Sequence, residues 1–318
     1  MQNPTSGIHH ITAIAGDPQR NLDFYAGTLG LRLVKRTVNF DDPGTYHFYY
    51  GDRTGRPGTL LTFFPWAGAY AGRPGAGQAT VTSFAVPAGS LTYWEDRLGA
   101  RLALAPTRHQ RFGAGTLRFT DPDGMALELV EHRSAGETPV HPESALPAAQ
   151  AIRRFHGTTL TLRGVDATAQ ILTEVLGLAP NGQDGAYARF SPADSEGGVI
   201  DLLREPSAPA GSLGAGSVHH IAWRAADSAQ QLELRGRVLG QTLSVTPVVD
   251  RQYFQSIYFR EPGGVLFEVA TDGPGFLIDE PEATLGEALK LPAQYESERA
   301  TIESVLAPIT LPRTPVEA

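Results

Sequence analysis

Apolar positions along this chain change period at regular intervals, and the changes come in four rounds. Each round opens on a short run with strand-like alternation and passes to apolar residues at helical spacing, such as Leu22, Tyr25 and Leu29. It closes on further strand-like runs, such as 46–50 in the first round and 256–259 in the fourth. A Leu-Gly pair ends the helical stretch each time, at Leu29-Gly30, Leu98-Gly99, Leu176-Gly177 and Leu239-Gly240, where glycine suits a helix C-terminus. A second glycine turn precedes each final strand, at Pro57-Gly58, Asp123-Gly124, Gly197-Gly198 and Gly263-Gly264. The unit these signals predict is βαβββ, and four such units make an α+β protein of mixed sheets.

An internal repeat supports the count. Ile8-His9-His10-Ile11 recurs as Val218-His219-His220-Ile221, and Leu22, Leu29 and Gly30 recur as Leu232, Leu239 and Gly240, all displaced by 210 positions. The predicted modules span 8–66, 78–132, 155–204 and 217–272. They group into halves 1–135 and 152–275, joined by a Pro- and Ala-rich linker at 136–151 and followed by a tail, 276–318. In that tail 297–306 reads as a helix and 285–291 as a segment packing across the halves, whereas 68–77 and 205–216 read as flexible loops.

Composition narrows the chemistry. The 318 residues carry 26 Lys plus Arg against 34 Asp plus Glu, a formal charge of -8, and no Lys/Arg run that could release counterions from a phosphate backbone. Nucleic acid is not an expected partner. No stretch approaches the ~20 apolar residues of a membrane span, and the N-terminus lacks the basic and apolar regions of a secretion signal, so a soluble cytoplasmic protein is expected. With no cysteine, thiolate metal sites and thiol nucleophiles are excluded, and a metal must be held by carboxylates and the nine histidines.

Glu268 sits in the final strand of the fourth module between apolar neighbours, where a purely structural strand would place Val or Thr. His220 opens the same module and His10 is its repeat mate. Two imidazoles and one carboxylate on one face form a metal site with positions left open for substrate and dioxygen. Each residue alone has a plainer reading: a strand histidine in the core, or a buried glutamate paired with Arg251 or Arg260. Strand alternation does not decide which histidine of each pair faces inward. His156, Glu128 and Asp201 repeat the pattern faintly in the middle modules and read as inherited residues satisfied by hydrogen bonds. His109, His132 and His141 fall in loop-like contexts.

Ile8-His9-His10-Ile11-Thr12, the stretch 31–37, Tyr46-His47-Phe48-Tyr49, Val218-His219-His220, and 251–258 running into 262–268 together resemble the ring-cleaving dioxygenases of the vicinal oxygen chelate (glyoxalase/bleomycin resistance/dioxygenase) superfamily. The hydroquinone dioxygenase group is the most similar. The resemblance implies an Fe(II) enzyme, with Mn(II) as an alternative metal, acting on a small aromatic diol and O2. It places the ligands at His10, His220 and Glu268, leaves His9 and His219 beside them, and assigns Arg251 and Tyr258 to orienting and polarising a phenolate. Ortho- and para-diols both remain open, as does self-association. Ligands from the first and last modules meet only if those modules pair in one half-barrel, leaving the middle two to form the other. Glyoxalase-type members take a fourth ligand from the final strand of the opposite module, and here 59–64 holds no acid. That absence favours an open dioxygenase site over two alternatives on the same fold, a metal-dependent lyase or glutathione-linked transferase and a non-catalytic aromatic- or quinone-binding protein. Phe40, Tyr46, Tyr253 and Phe276 are candidate walls for the ring, and His47 a candidate lining residue.

Overall fold

The computed structural model describes residues 5–137, 146–193 and 197–311. The central part of the linker expected at 136–151, including His141, and the last residues of the tail lie outside the described residues.

All four βαβββ units are present. The first comprises β1 (Ile8–Ala15), α1 (Pro18–Leu22) running on as a π-helical turn through Asp23–Thr28, β2 (Arg32–Asn39), β3 (Asp42–Gly51) and β4 (Leu60–Pro65). The second has β5 (Gln78–Pro87), α2 (Leu91–Gly99), β6 (Thr107–Arg111), β7 (Ala114–Thr120) and β8 (Ala126–His132). The third has β9 (Arg154–Leu162), α3 (Asp166–Gln170) with a π-helical turn through Ile171–Val175, β10 (Ala179–Asp184), β11 (Tyr187–Ser191) and β12 (Val199–Arg204). The fourth has β13 (Ser217–Ala225), α4 (Ser228–Gly240), β14 (Val249–Asp250), β15 (Phe254–Arg260) and β16 (Leu266–Pro274). Two of the four glycines expected to end helices do so in the left-handed region, Gly30 at φ 68° and Gly177 at φ 71°; Gly99 and Gly240 are instead the last residues of α2 and α4.

The strands form two eight-stranded mixed sheets. One runs β14-β15-β16-β13-β1-β4-β3-β2 and joins the first and last modules; the other runs β10-β11-β12-β9-β5-β8-β7-β6 and joins the middle two. Each curves into a half-barrel around its own central antiparallel pair. β1 is buried along its whole length, because helices cover one face of the sheet and the concave site covers the other.

The central pairs carry matched irregularities. Ile8 opposes Trp223 and His10 opposes Ala222, so His9 is an extra residue in β1; Thr12 opposes His220 and Ala13 opposes Val218, so His219 is an extra residue in β13. In the second sheet Thr80 and His156 hold the same places. Each bulge re-aims the residue that follows it. This is the local reason why two adjacent histidines do not simply point to opposite faces.

Three sequence expectations change. Segments 68–77 and 205–216 are not free loops: they pair with each other through Ala71–Ala215, Arg73–Ser212 and Ala76–Ala210 bridges, a contact between distant segments that local composition does not reveal. His109 lies within β6 and His132 ends β8. The tail helix begins as a 3-10 turn, Ala293–Glu298, and becomes α5 only over Arg299–Val305. The tail crosses from the last module to the first, where Leu289 bridges Arg36, Tyr295 Oη donates to Phe40 O, and Tyr46 Oη donates to Ala307 O. Lys35 of β2, fully buried, holds it through Asp279 and Glu280. No helix among the described residues is long and apolar enough to cross a membrane.

Candidate metal centre

One group of three metal-ligating side chains converges among the described residues: His10 from β1, His220 from β13 and Glu268 from β16. Register brings them together. Glu268 lies beside Ala222 in the parallel β13–β16 pair, and Ala222 opposes His10 in the antiparallel β1–β13 pair. Glu268 Oε2 lies 2.8 Å from His220 Nε2 and 3.4 Å from His10 Nε2, and the two Nε2 atoms are 3.4 Å apart. All three side chains are buried.

The donor set fits a metal ion. Bonds of about 2.1 Å at right angles would space neighbouring donors by about 3.0 Å, and the observed edges bracket that distance. The outward nitrogens are engaged: His10 Nδ1 lies 2.9 Å from His9 Nδ1, and His220 Nδ1 lies 2.8 Å from His219 Nδ1. A proton shared between each Nδ1 pair leaves the Nε2 lone pair of His10 and His220 directed at the centre. The other oxygen of Glu268, Oε1, accepts a short hydrogen bond from Ser256 Oγ. Burial alone would raise the Glu268 carboxyl, but His10 and His220 outweigh it and hold it well below the usual carboxylate range. Burial lowers His220 despite Glu268, lowers His9 far below its ordinary value, and brings His219 down to about 4. Glu268 is thus a charged carboxylate with a neutral His220 beside it, a protonation state that suits a divalent cation.

A cavity of about 360 Å³ opens onto this group. His219, Arg251 and Tyr258 line it; His9 does not, and packs behind His10 with its ring 5.2 Å from Phe254. Arg251 Nε donates to Tyr258 Oη at 3.0 Å and its Nη1 reaches Asp41 at 3.2 Å, so neither Arg251 nor Arg260, which donates to Gly264 O, is the partner of Glu268. Burial, with Glu268 nearby, raises the Tyr258 phenol well above its ordinary value.

Of the expected aromatic walls only Phe40 lines the cavity; Phe64, Trp66, Phe254, Tyr49 and Tyr258 line it as well. Tyr46 faces the tail, and Tyr253 and Phe276 pack with Tyr49 in a core behind the site. Alternation along β4 and β15 marks Phe64 and Phe254 as strand aromatics without saying which face is concave. His47 does line the cavity, with Nε2 3.0 Å from Thr62 Oγ1 and Nδ1 2.9 Å from Tyr49 Oη.

The second half-barrel explains the faint copy. His156 occupies the bulge, as His219 does, so the place of His220 falls to Gly157 and that of His10 to Val81. A Cβ on Gly157 would lie 2.0 Å from Val199 O, which leaves no room for an imidazole. Glu128 and Asp201 hold the final-strand positions, and arginine balances them. Arg189 donates to both oxygens of Asp201 at 2.8 and 2.9 Å, while Arg111 reaches Asp201 at 3.3 Å and makes a short bond to Glu128. Glu128 and Asp201 thus have the hydrogen bonds expected of them, mostly from charged donors, whereas neither ring nitrogen of buried His156 has a hydrogen-bond partner among the described residues.

Two stretches, 7–129 and 154–269, match the family model of the glyoxalase/bleomycin resistance protein/dioxygenase superfamily. A Bacillus subtilis protein named as a candidate ring-cleaving dioxygenase, MhqO, is 51% identical over 308 residues, covering 97% of this chain and 98% of its own. The chlorohydroquinone/hydroquinone 1,2-dioxygenase of Sphingobium indicum is 38% identical over 309 residues, covering 93% and 95%. A crystal structure of a candidate dioxygenase from Bacillus subtilis superposes with a TM-score of 0.93 at 50% identity, covering 97% of this chain and 99% of that one.

Proposed function

Since the chain belongs to the glyoxalase/bleomycin resistance protein/dioxygenase superfamily, we propose that it is an Fe(II)-dependent ring-cleaving dioxygenase acting on a hydroquinone-like or catechol-like diol. The observation that carries this reading is the donor count. His10, His220 and Glu268 converge as three ligands, while the β4 position that would supply a fourth is Thr62. A ferrous ion held there would offer open positions to a diol and to O2 and a route for electrons between them.

The rest is the work of side chains. Phe64, Phe254, Phe40 and Trp66 form an apolar slot that receives the flat ring and excludes water from its faces. Arg251 donates to the Tyr258 oxygen, which turns that phenol's own proton toward the cavity; the raised phenol stays protonated and donates to a diol oxygen. His219, neutral at physiological pH, lines the same cavity; its Nδ1 receives the His220 proton, so its Nε2–H is the group free to donate to a diol oxygen. Ser256 fixes the Glu268 carboxylate.

The test is anaerobic iron loading followed by oxygen uptake and ultraviolet absorbance with hydroquinone, methylhydroquinone and catechol. One O2 is expected per diol consumed. His10→Ala, His220→Ala and Glu268→Gln should each lose both iron and turnover. An iron-loaded protein that consumes no oxygen with any diol overturns the activity, and full turnover in any of the three variants overturns the ligand set.

A further inference from the structure

The two modules that build the site treat equivalent positions differently. Tyr258 opposes Glu268 on β15–β16, and Tyr49 opposes Thr62 on β3–β4. Two residues before each tyrosine stands the group that holds the final-strand side chain: Ser256 on Glu268 Oε1, and His47 on Thr62 Oγ1. A serine would suffice to hold a threonine. A histidine, with a second ring nitrogen, extends the connection instead.

It extends into a continuous chain. Thr12 Oγ1 lies 2.8 Å from Thr62 Oγ1, which lies 3.0 Å from His47 Nε2, and His47 Nδ1 lies 2.9 Å from Tyr49 Oη. Every link is within ordinary hydrogen-bond range. Thr12 and Tyr49, the two ends, line the cavity, while Thr62 is fully buried. The His47 ring is gripped between Tyr49 and Phe64, with ring centres 4.1 and 4.3 Å away. Hydroxyls and a neutral imidazole each carry one transferable proton and one accepting lone pair, so the chain has two complete polarities. In one, each proton points toward Tyr49; in the other, each points toward Thr12. His47 changes tautomer between them.

Building on the dioxygenase reading, we infer that Thr12, Thr62, His47 and Tyr49 form a proton relay that runs across β1, β4 and β3 from Thr12, near the ligands, to Tyr49 further along the cavity lining. A proton leaving the diol hydroxyl is taken by Thr12 Oγ1, whose own proton passes to Thr62 Oγ1. The Thr62 proton moves to His47 Nε2, the Nδ1 proton moves to Tyr49 Oη, and the Tyr49 proton leaves to water in the cavity. One proton enters, one leaves, and no charge remains on the chain. The reverse run returns a proton to the ring-opened product. Burial keeps His47 far below its ordinary pKa, which preserves the neutral ring that tautomer exchange requires.

The test cuts the chain in its buried middle. Thr62→Val removes the hydroxyl at nearly constant volume, and Thr62→Ser keeps it. With whichever of the three diols the iron-loaded wild type cleaves fastest, Thr62→Val should lower kcat at least tenfold with KM within threefold, and Thr62→Ser should recover most of the loss. In the metal-free protein, the 15N shifts of the His47 ring should move on Thr62→Val and stay near wild type on Thr62→Ser. An unchanged kcat in Thr62→Val, an equal fall in Thr62→Ser, or unmoved 15N shifts each overturns the relay. A wild type that cleaves no diol overturns the dioxygenase reading itself, an outcome separate from an active wild type with an equally active Thr62→Val.

Discussion

Thr62 stands to Thr12 as Glu268 stands to Ala222. Each pair is matched across a parallel strand pair, and Thr12 and Ala222 are repeat mates, 210 positions apart. The place that carries a carboxylate in the last module therefore carries a hydroxyl in the first, and the site has three donors rather than four. Thr62→Glu restores the missing acid. It should tighten iron binding at least tenfold, measured by chelator competition, while oxygen uptake falls at least a hundredfold as an open position closes. Iron affinity at the wild-type level would show that Thr62 does not face the metal position.

Ser256 holds the far oxygen of Glu268. Partners of this kind typically contribute 10–100-fold to metal affinity, and Ser256→Ala should weaken iron binding by about that factor while leaving the fold intact by circular dichroism. An unaltered dissociation constant would mean that the carboxylate is fixed by the histidines alone.

Lys35 is a charge sealed beneath the tail, with Asp279 Oδ1 at 2.6 Å, Glu280 in closer contact and the Tyr253 ring centre 5.1 Å away. Lys35→Met leaves two acids without their cation, and breaking a buried pair this way costs about 3–5 kcal/mol. Urea unfolding should show a loss of that order. A midpoint matching wild type would place the acids in solvent once the lysine is gone.

His156 is buried in the second half-barrel, and burial, reinforced by Arg189, lowers it to about 3. Since the folded value lies below the unfolded one of about 6.5, the neutral ring supports the fold above that pH, and this support is lost as pH falls toward 3. His156→Gln does not titrate. The stability of wild type relative to this variant should fall by about 2 kcal/mol between pH 7.5 and pH 5, read from guanidinium unfolding at both values. A difference independent of pH would show that the histidine is already exposed or charged.

The four Leu-Gly pairs made the module count legible, and the fixed displacement of 210 tied the first module to the last. It also singled out two histidine pairs and Glu268. What the sequence withheld was register. Nothing local distinguishes His9 from His10 until the bulge in β1 is known, and nothing marks His156 as a bulge residue rather than a ligand until Val81 and Gly157 are seen in the ligand positions. Thr62, His47 and Ser256 are ordinary strand residues in one dimension; their meaning comes from the cross-strand neighbours Tyr49, Glu268 and Thr12. The tail was legible in outline, as a helix within 297–306 and a packing segment at 285–291; its docking points, Arg36 and Phe40, were not, since they lie about 250 positions away in sequence.

The order of strands in the two sheets also sets an order of events. β5 and β9 open consecutive modules, with only the rest of the second module and the linker between them, whereas β1 waits for β13, a partner made two-thirds of the chain later. During synthesis the middle half-barrel can close first, while β1 remains an unpaired apolar edge that invites pairing with other chains. Because His10 emerges early and His220 and Glu268 emerge late, the three-residue metal-ligating group is completed only at the end of synthesis, and a chain stalled before β16 holds an aggregation-prone edge and no complete group.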